Sequence, residues 1–138
     1  MREALKEAQK AFEADEVPVG VVIVANNKII ARGHNLTERL IDVTAHAEMQ
    51  AITAAANAIG GKYLTDCTIY VTLEPCLMCA GALAWSQISK LVFGAGDTKR
   101  GFSGSGKNIL HPKTEVISGI LEKECEQILK KFFSEKRK

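Results

Sequence analysis

The sequence predicts an α/β domain, a mixed β-sheet covered by helices on both faces. Three observations carry that prediction. Segments of helical period alternate with runs of β-branched residues, the pattern of a sheet with helices packed over it. The first two runs are separated by only two residues, which makes an antiparallel hairpin and so a mixed sheet. A chain of 138 residues with 46% hydrophobic side chains is long enough for one domain, expected to span residues 1–138.

Each element follows from its own residues. Ala4, Leu5, Ala8, Ala11 and Phe12 recur at helical spacing, so residues 2–14 are expected to form a helix with one apolar face. Pro18 to Ala25 is almost wholly β-branched or small, hence a buried strand. Asn26-Asn27 suits a tight turn because Asn tolerates positive φ, and Lys28 to Arg32 is the returning strand. Residues 45–58 are Ala-rich, with Met49, Ile52 and Ile59 spaced for a packed helix that Gly60-Gly61 ends. Thr68 to Leu73 is a third strand, and Pro75 is expected at the first position of a further short helix. Lys90 to Ala95 is a fourth strand, residues 96–114 a long Gly-containing loop, and Glu115 to Ser118 a short fifth strand. Residues 120–136 predict a last helix, whose Leu121, Cys125, Ile128, Leu129, Phe132 and Phe133 face the core or a partner.

Composition excludes several classes of protein. Charged residues make up 25% of the chain, and no apolar run approaches the ~20 residues of a membrane span. The N-terminus, Met1-Arg2-Glu3-Ala4-Leu5-Lys6-Glu7, lacks the apolar core of a signal peptide, so a cytoplasmic protein is expected. Net charge is +2, but it is unevenly spread. Residues 1–95 hold 8 Lys+Arg against 10 Asp+Glu, and residues 96–138 hold 10 against 6. A basic C-terminal third, with Lys130, Lys131, Lys136, Arg137 and Lys138 at its end, suits either a polyanionic substrate or a solvated helix and tail.

The chemistry lies in two short motifs, His46-Ala47-Glu48 and Pro75-Cys76-Leu77-Met78-Cys79. One imidazole and two thiols make a three-ligand zinc set, His46, Cys76 and Cys79, with the fourth position open to water. That is the arrangement of a catalytic rather than a structural site, with one Zn²⁺ expected per chain. Glu48 is a carboxylate placed to move protons to and from that water. Cys76 and Cys79, three apart on a helix, share a face, and a helix N-terminus favours their thiolates. His46 and Glu48 are two apart and diverge on a regular helix, so His46 is expected at an irregular helix start capped by Thr44 or a neighbour. The pair of motifs, H-x-E followed by P-C-x-x-C, is the signature of zinc-dependent nucleobase deaminases.

Other readings exist for the same residues. Cys67, His34 or His111 could close a structural four-ligand zinc site, but that leaves Glu48 unexplained. A redox Cys-x-x-Cys ignores His46. Cys67 and Cys125 read as small core residues. Gly101-Phe102-Ser103-Gly104-Ser105-Gly106-Lys107 matches the first seven positions of a phosphate-binding loop. Asn108 then replaces the required Ser or Thr, and Pro112 follows too soon for the helix, so a flexible loop is expected.

Two longer strings extend the motifs. Thr44-Ala45-His46-Ala47-Glu48-Met49-Gln50-Ala51-Ile52 and Tyr70 to Ala82 closely resemble the bacterial tRNA-specific adenosine deaminase family. The likeness continues through Glu16-Val17-Pro18-Val19-Gly20, Val92-Phe93-Gly94-Ala95-Gly96-Asp97 and Gly119-Ile120-Leu121. The resemblance implies the three-layer α/β/α cytidine-deaminase-like fold, with a five-stranded mixed sheet. It implies hydrolysis of adenosine to inosine at the wobble position of a tRNA anticodon stem-loop, by a homodimer. It also implies that the Asn35 amide reads the flipped base and that Asp97 contacts the RNA beside it. By themselves, Asn35 also reads as a turn residue and Asp97 as a loop or cap residue. The chain departs from the family at Gly96, where a basic residue is often found, and from Gly101 to His111. The competing functions are a deaminase of free guanine or cytosine and a non-catalytic zinc-bearing RNA-binding module.

Overall fold

A computed structural model describes residues 1–136. The expectations for Arg137 and Lys138 lie outside the described residues. The chain runs α1 (Arg2–Glu13), β1 (Gly20–Ala25), β2 (Lys28–His34), α2 (Ala47–Ile59), β3 (Thr68–Leu73), α3 (Leu77–Ser86), β4 (Lys90–Ala95), β5 (Glu115–Ile117) and α4 (Glu122–Lys136). A single 3-10 turn, Phe102–Ser105, lies within the loop after β4.

The five strands form one sheet in the order β2-β1-β3-β4-β5. β1 is antiparallel to both β2 and β3, whereas β3, β4 and β5 run parallel. The β1–β2 hairpin turns on Asn26 and Asn27, both at positive φ (51° and 61°) as its two-residue length requires. Because two reversals separate β2 from β3, strands β2, β3, β4 and β5 all end on the same edge of the sheet.

Helices cover both faces. α1 and α4 pack on one face, joined by an edge-to-face contact of Phe12 with Phe132 at 5.8 Å. α2 and α3 pack on the other. α1 lies close to the sheet because its buried stripe, Ala4, Ala8 and Ala11, is built of small side chains. Ile23, Ile69, Val71, Leu83 and Leu91 fill the centre and are fully buried. Cys67 is a buried free thiol within this core, and Cys125 is a buried free thiol on α4, packed against Gly94 of β4.

Two helix starts differ from the sequence reading. Pro75 lies outside its helix: Cys76 is the N-cap of α3, in an extended conformation, and the helix begins at Leu77. Thr44 does not cap α2. Its N–H and O–H both donate to Asp42 Oδ1, at 2.8 and 2.7 Å, and His46 itself takes the N-cap position. α2 ends as expected, with Gly60 left-handed at φ 71°.

Candidate active site

The C-terminal edge shared by β2, β3 and β4 is where an open α/β sheet offers a crevice to ligands. A cleft of about 740 Å³ lies there. Asn35, directly after β2, and Asp97, shortly after β4, stand in its lining with His46, Glu48 and Cys76. Cys79 is fully buried.

His46 is the N-cap of α2, where its φ/ψ (−69°, 156°) is extended rather than helical. That break frees the ring from the helix surface and resolves the conflict posed by a two-residue spacing to Glu48. Cys76 caps α3 and Cys79 lies one turn in, so their sulfurs face the same ion position. His46 Nδ1 is 3.7 Å from Cys76 Sγ and 3.5 Å from Cys79 Sγ. All three donor atoms lie within 4.8 Å of one another. Bond lengths of about 2.3 Å to sulfur and about 2.05 Å to nitrogen give a tetrahedral N···S edge of about 3.6 Å. The donor set therefore fits zinc in both type and spacing. Cys67, His34 and His111 are not part of this group. His34 Nδ1 is instead 3.4 Å from Glu7, and His111 Nδ1 accepts the Lys113 N–H.

Electrostatics sort the side chains of the site. Glu48, only 4% exposed, has its carboxyl pushed up to about 7 by burial, partly offset by its own backbone N–H. The two cysteines form a coupled pair. Cys79 holds the Cys76 thiol down at about 5, while Cys76, followed by burial, pushes Cys79 upward. Such a pair carries one thiolate readily and the second only with a cation beside it.

Asn35 and Asp97 are each tied into their own loops. Asn35 Oδ1 accepts the Thr37 N–H at 3.2 Å, an Asx turn, while its side-chain nitrogen makes no hydrogen bond among the described residues. Asp97 Oδ1 accepts the N–H groups of Lys99 and Arg100, both at 3.0 Å. Lys99 and Arg100 also line the cleft, whereas Lys130 pairs with Glu126 and Lys136 with Asp15. Glu16 and Glu74, which sequence reasoning did not single out, are buried carboxylates behind the two loops. Glu74 has one local sign, an acidic residue at the end of an apolar strand beside Pro75, whereas Glu16 follows Glu13 and Asp15 and has none.

A family model for MafB19-like deaminases matches residues 1–137. The tRNA-specific adenosine deaminase of Bacillus subtilis is 52% identical, over 100% of this chain and 89% of its own length. A solved tRNA:A34 deaminase, studied for A-to-I editing at the wobble position of transfer RNA, superposes with a TM-score of 0.88. It is 43% identical, covering 94% of this chain and 97% of its own. The guanine deaminase of Bacillus subtilis superposes with a TM-score of 0.69 at 35% identity, over 80% of this chain and 74% of its own. The fold is thus the cytidine-deaminase-like α/β fold. The chain belongs to the MafB19-like deaminase family.

Proposed function

We propose that this chain hydrolyses adenosine to inosine at the wobble position of a tRNA anticodon, with one zinc ion per chain. The observation that carries the reading is the triangle of His46, Cys76 and Cys79 opening beside Glu48 in one cleft. The tRNA-specific relative at 52% identity supports adenosine in tRNA over a free base as substrate.

His46, Cys76 and Cys79 would hold the zinc, which when bound makes a water molecule far more acidic than bulk water. Glu48 takes the proton of the attacking water and passes it to the ring nitrogen next to the reacting carbon. It then takes the second proton of that water from the hydroxyl now on the reacting carbon and gives it to the departing amino group, so that the C–N bond breaks and water and adenosine become inosine and ammonia. A carboxyl lifted toward neutrality by burial can both accept and return a proton near physiological pH. The reacting base must be unstacked to reach the cleft, and an anticodon loop presents such bases. Asn35 reads the base through its free amide nitrogen. Asp97 shapes the loop that meets the neighbouring nucleotide, and Lys99 and Arg100 supply positive charge at the rim.

The protein works as a homodimer. Trp85, 84% exposed near the end of α3, is a large apolar side chain that its own fold does not cover, while Leu77 and Met78 at the start of the same helix line the cleft. No helix among the described residues is long and apolar enough to cross a membrane, and we place the reaction in the cytoplasm, where thiols stay reduced.

The deciding experiment incubates the zinc-loaded protein with bulk tRNA and, separately, with adenosine, guanine and cytidine, measuring inosine and ammonia. Inosine in tRNA, in amounts that fall with added salt, is expected. Efficient turnover of a free base, indifferent to salt, would establish the small-molecule reading instead.

A further inference from the structure

Glu16 and Glu74 are 1% and 5% exposed, and neither pairs with a Lys, Arg or His among the described residues. A carboxylate taken out of water without a cation is held only by hydrogen-bond donors. Both find theirs in a distant loop. Glu16 Oε1 accepts the Glu38 N–H at 3.0 Å and the Thr37 hydroxyl at 3.4 Å, and Oε2 accepts the Arg39 N–H at 2.8 Å. Glu74 Oε1 accepts the Asp97 N–H at 3.0 Å, and Oε2 accepts the Ser103 N–H at 2.9 Å and hydroxyl at 2.6 Å.

The loops so held are the two flanks of the cleft. Asn35, Thr37 and Val43 line one side, and Asp97 to Gly101 with Gly104 and Ser105 line the other. Glu74 is clamped so closely that a Cβ on Gly101 would strike both its carboxyl group and the Asp97 carbonyl. Neither loop has a β-ladder: the second is pinned by a single bridge of Gly101 with Cys76, with the Phe102 N–H donating to the Pro75 carbonyl at 3.0 Å, and each is further tied through main-chain N–H groups to one buried carboxylate.

From this juxtaposition we infer that Glu16 and Glu74 are positioning residues, each fixing one wall of the cleft at the spacing the substrate strand requires. The inference rests on reading the cleft as the site of RNA deamination. Neither residue donates a proton or holds the metal; both act through the loops they tether. Hydrogen bonds to an ionised acceptor are roughly twice as strong as neutral ones, so loss of the charge loosens a wall without unmaking the sheet. A loosened wall no longer holds the substrate strand in place, and because Glu48 and the three metal donors stay where they are, the loss falls on binding rather than on the chemical step.

The test uses the full zinc-loaded chain, an anticodon stem-loop RNA, and the variants Glu74→Gln, Glu16→Gln, Ser103→Ala and Thr37→Ala. Amide hydrogen exchange reads the walls directly, independent of activity. In Glu74→Gln, exchange over residues 97–105 should speed at least tenfold while β1 stays protected. KM for the RNA should rise about tenfold with kcat within about threefold, and zinc content should be unchanged. Glu16→Gln should do the same to residues 37–39 and leave 97–105 protected. If Glu74→Gln fails to fold, Ser103→Ala decides for its wall, since it removes one exposed hydroxyl donor to Glu74, and if Glu16→Gln fails, Thr37→Ala does the same for residues 37–39. Faster exchange at 97–105 with a severalfold higher KM supports the inference, and unchanged exchange and KM overturn it. A kcat loss with KM and exchange unchanged in the Glu variants overturns it as well. Should the wild-type protein leave the stem-loop untouched, the functional reading fails, and the exchange data alone decide whether the two carboxylates hold the walls.

Discussion

Gly33 offers a way to move the chemistry without touching it. It lies in β2 directly beneath the start of α2, the helix that carries His46 and Glu48. A Cβ built there would be 2.8 Å from the Ala47 carbonyl oxygen, 3.2 Å from Ala51 N and 3.2 Å from Gln50 Cβ. Ordinary contact begins at 3.4 Å, so Gly33→Ala must lift the first turns of α2 by about 0.2–0.6 Å. Two of the three obstructing atoms are backbone, which cannot rotate aside. Overpacking of this kind costs about 1–3 kcal/mol of stability. A misplacement of 1 Å in a catalytic constellation costs ~10²-fold, so a shift of about half that predicts roughly a tenfold loss of kcat. Urea unfolding and single-turnover kinetics on the zinc-loaded variant measure the two effects separately. Wild-type kcat together with a wild-type midpoint would refute the close-packing argument. A lowered midpoint with full kcat would show that His46 and Glu48 do not move with their helix.

Three further outcomes are expected. Glu48→Ala should keep about one zinc per chain and a normal fold while losing ~10²–10⁴-fold in kcat, and loss of the metal would make Glu48 a ligand instead. Metal analysis of four purified variants should find zinc lost from Cys76→Ala and Cys79→Ala but kept in Cys67→Ala and Cys125→Ala. The last two are buried apart from the donor group, and each substitution costs about 1 kcal/mol in packing. Ile41 is 93% exposed at φ 51°, a strained setting for a β-branched residue, so Ile41→Asn should raise stability by about 1 kcal/mol in urea titration.

The sheet was legible because its signals are local. β-branched runs mark β1 and β3, paired asparagines mark the hairpin, and the glycine after Ile59 marks a helix end. That His46, Cys76 and Cys79 would converge was legible for a different reason: few side chains are metal donors, and the structure brings these three within 4.8 Å of one another. What escaped depends on partners far away in sequence. Glu16 bonds residues 21 to 23 positions on, and Glu74 bonds residues 23 and 29 positions on, so no periodicity announces either. Thr44 has the chemistry of a cap, yet Asp42 takes its hydroxyl first, a local competition that composition alone does not decide. The reading of residues 96–114 as a loop holds for most of its length. Its 3-10 turn at Phe102–Ser105 forms where Glu74 binds Ser103 and Phe102 packs edge-to-face on Phe93 at 6.2 Å.

The two helix starts explain why so short a pair of motifs can carry a whole site. An N-cap normally holds Ser, Thr, Asp or Asn, whose oxygen satisfies a first-turn N–H, and its absence costs about 1 kcal/mol. Here His46 and Cys76 occupy both N-caps, and neither makes a side-chain capping hydrogen bond. The positive ends of α2 and α3 are therefore left directed at the cleft, where anions are favoured. Cys76 shows the effect: Cys79 does most to keep its thiol low, against the pull of burial, and the main-chain N–H groups of the first turn add to it without forming a capping hydrogen bond. Glu48, at the second position of α2, is drawn the same way by its own N–H, though burial wins there. The sequence thus gives up two caps, a local rule broken at both helices that serve one cleft. The broken rule and the site geometry are one feature, because the extended N-cap conformation lets His46 and Cys76 turn their side chains past the ends of their own helices, where His46 meets Cys76 and, one turn into α3, Cys79.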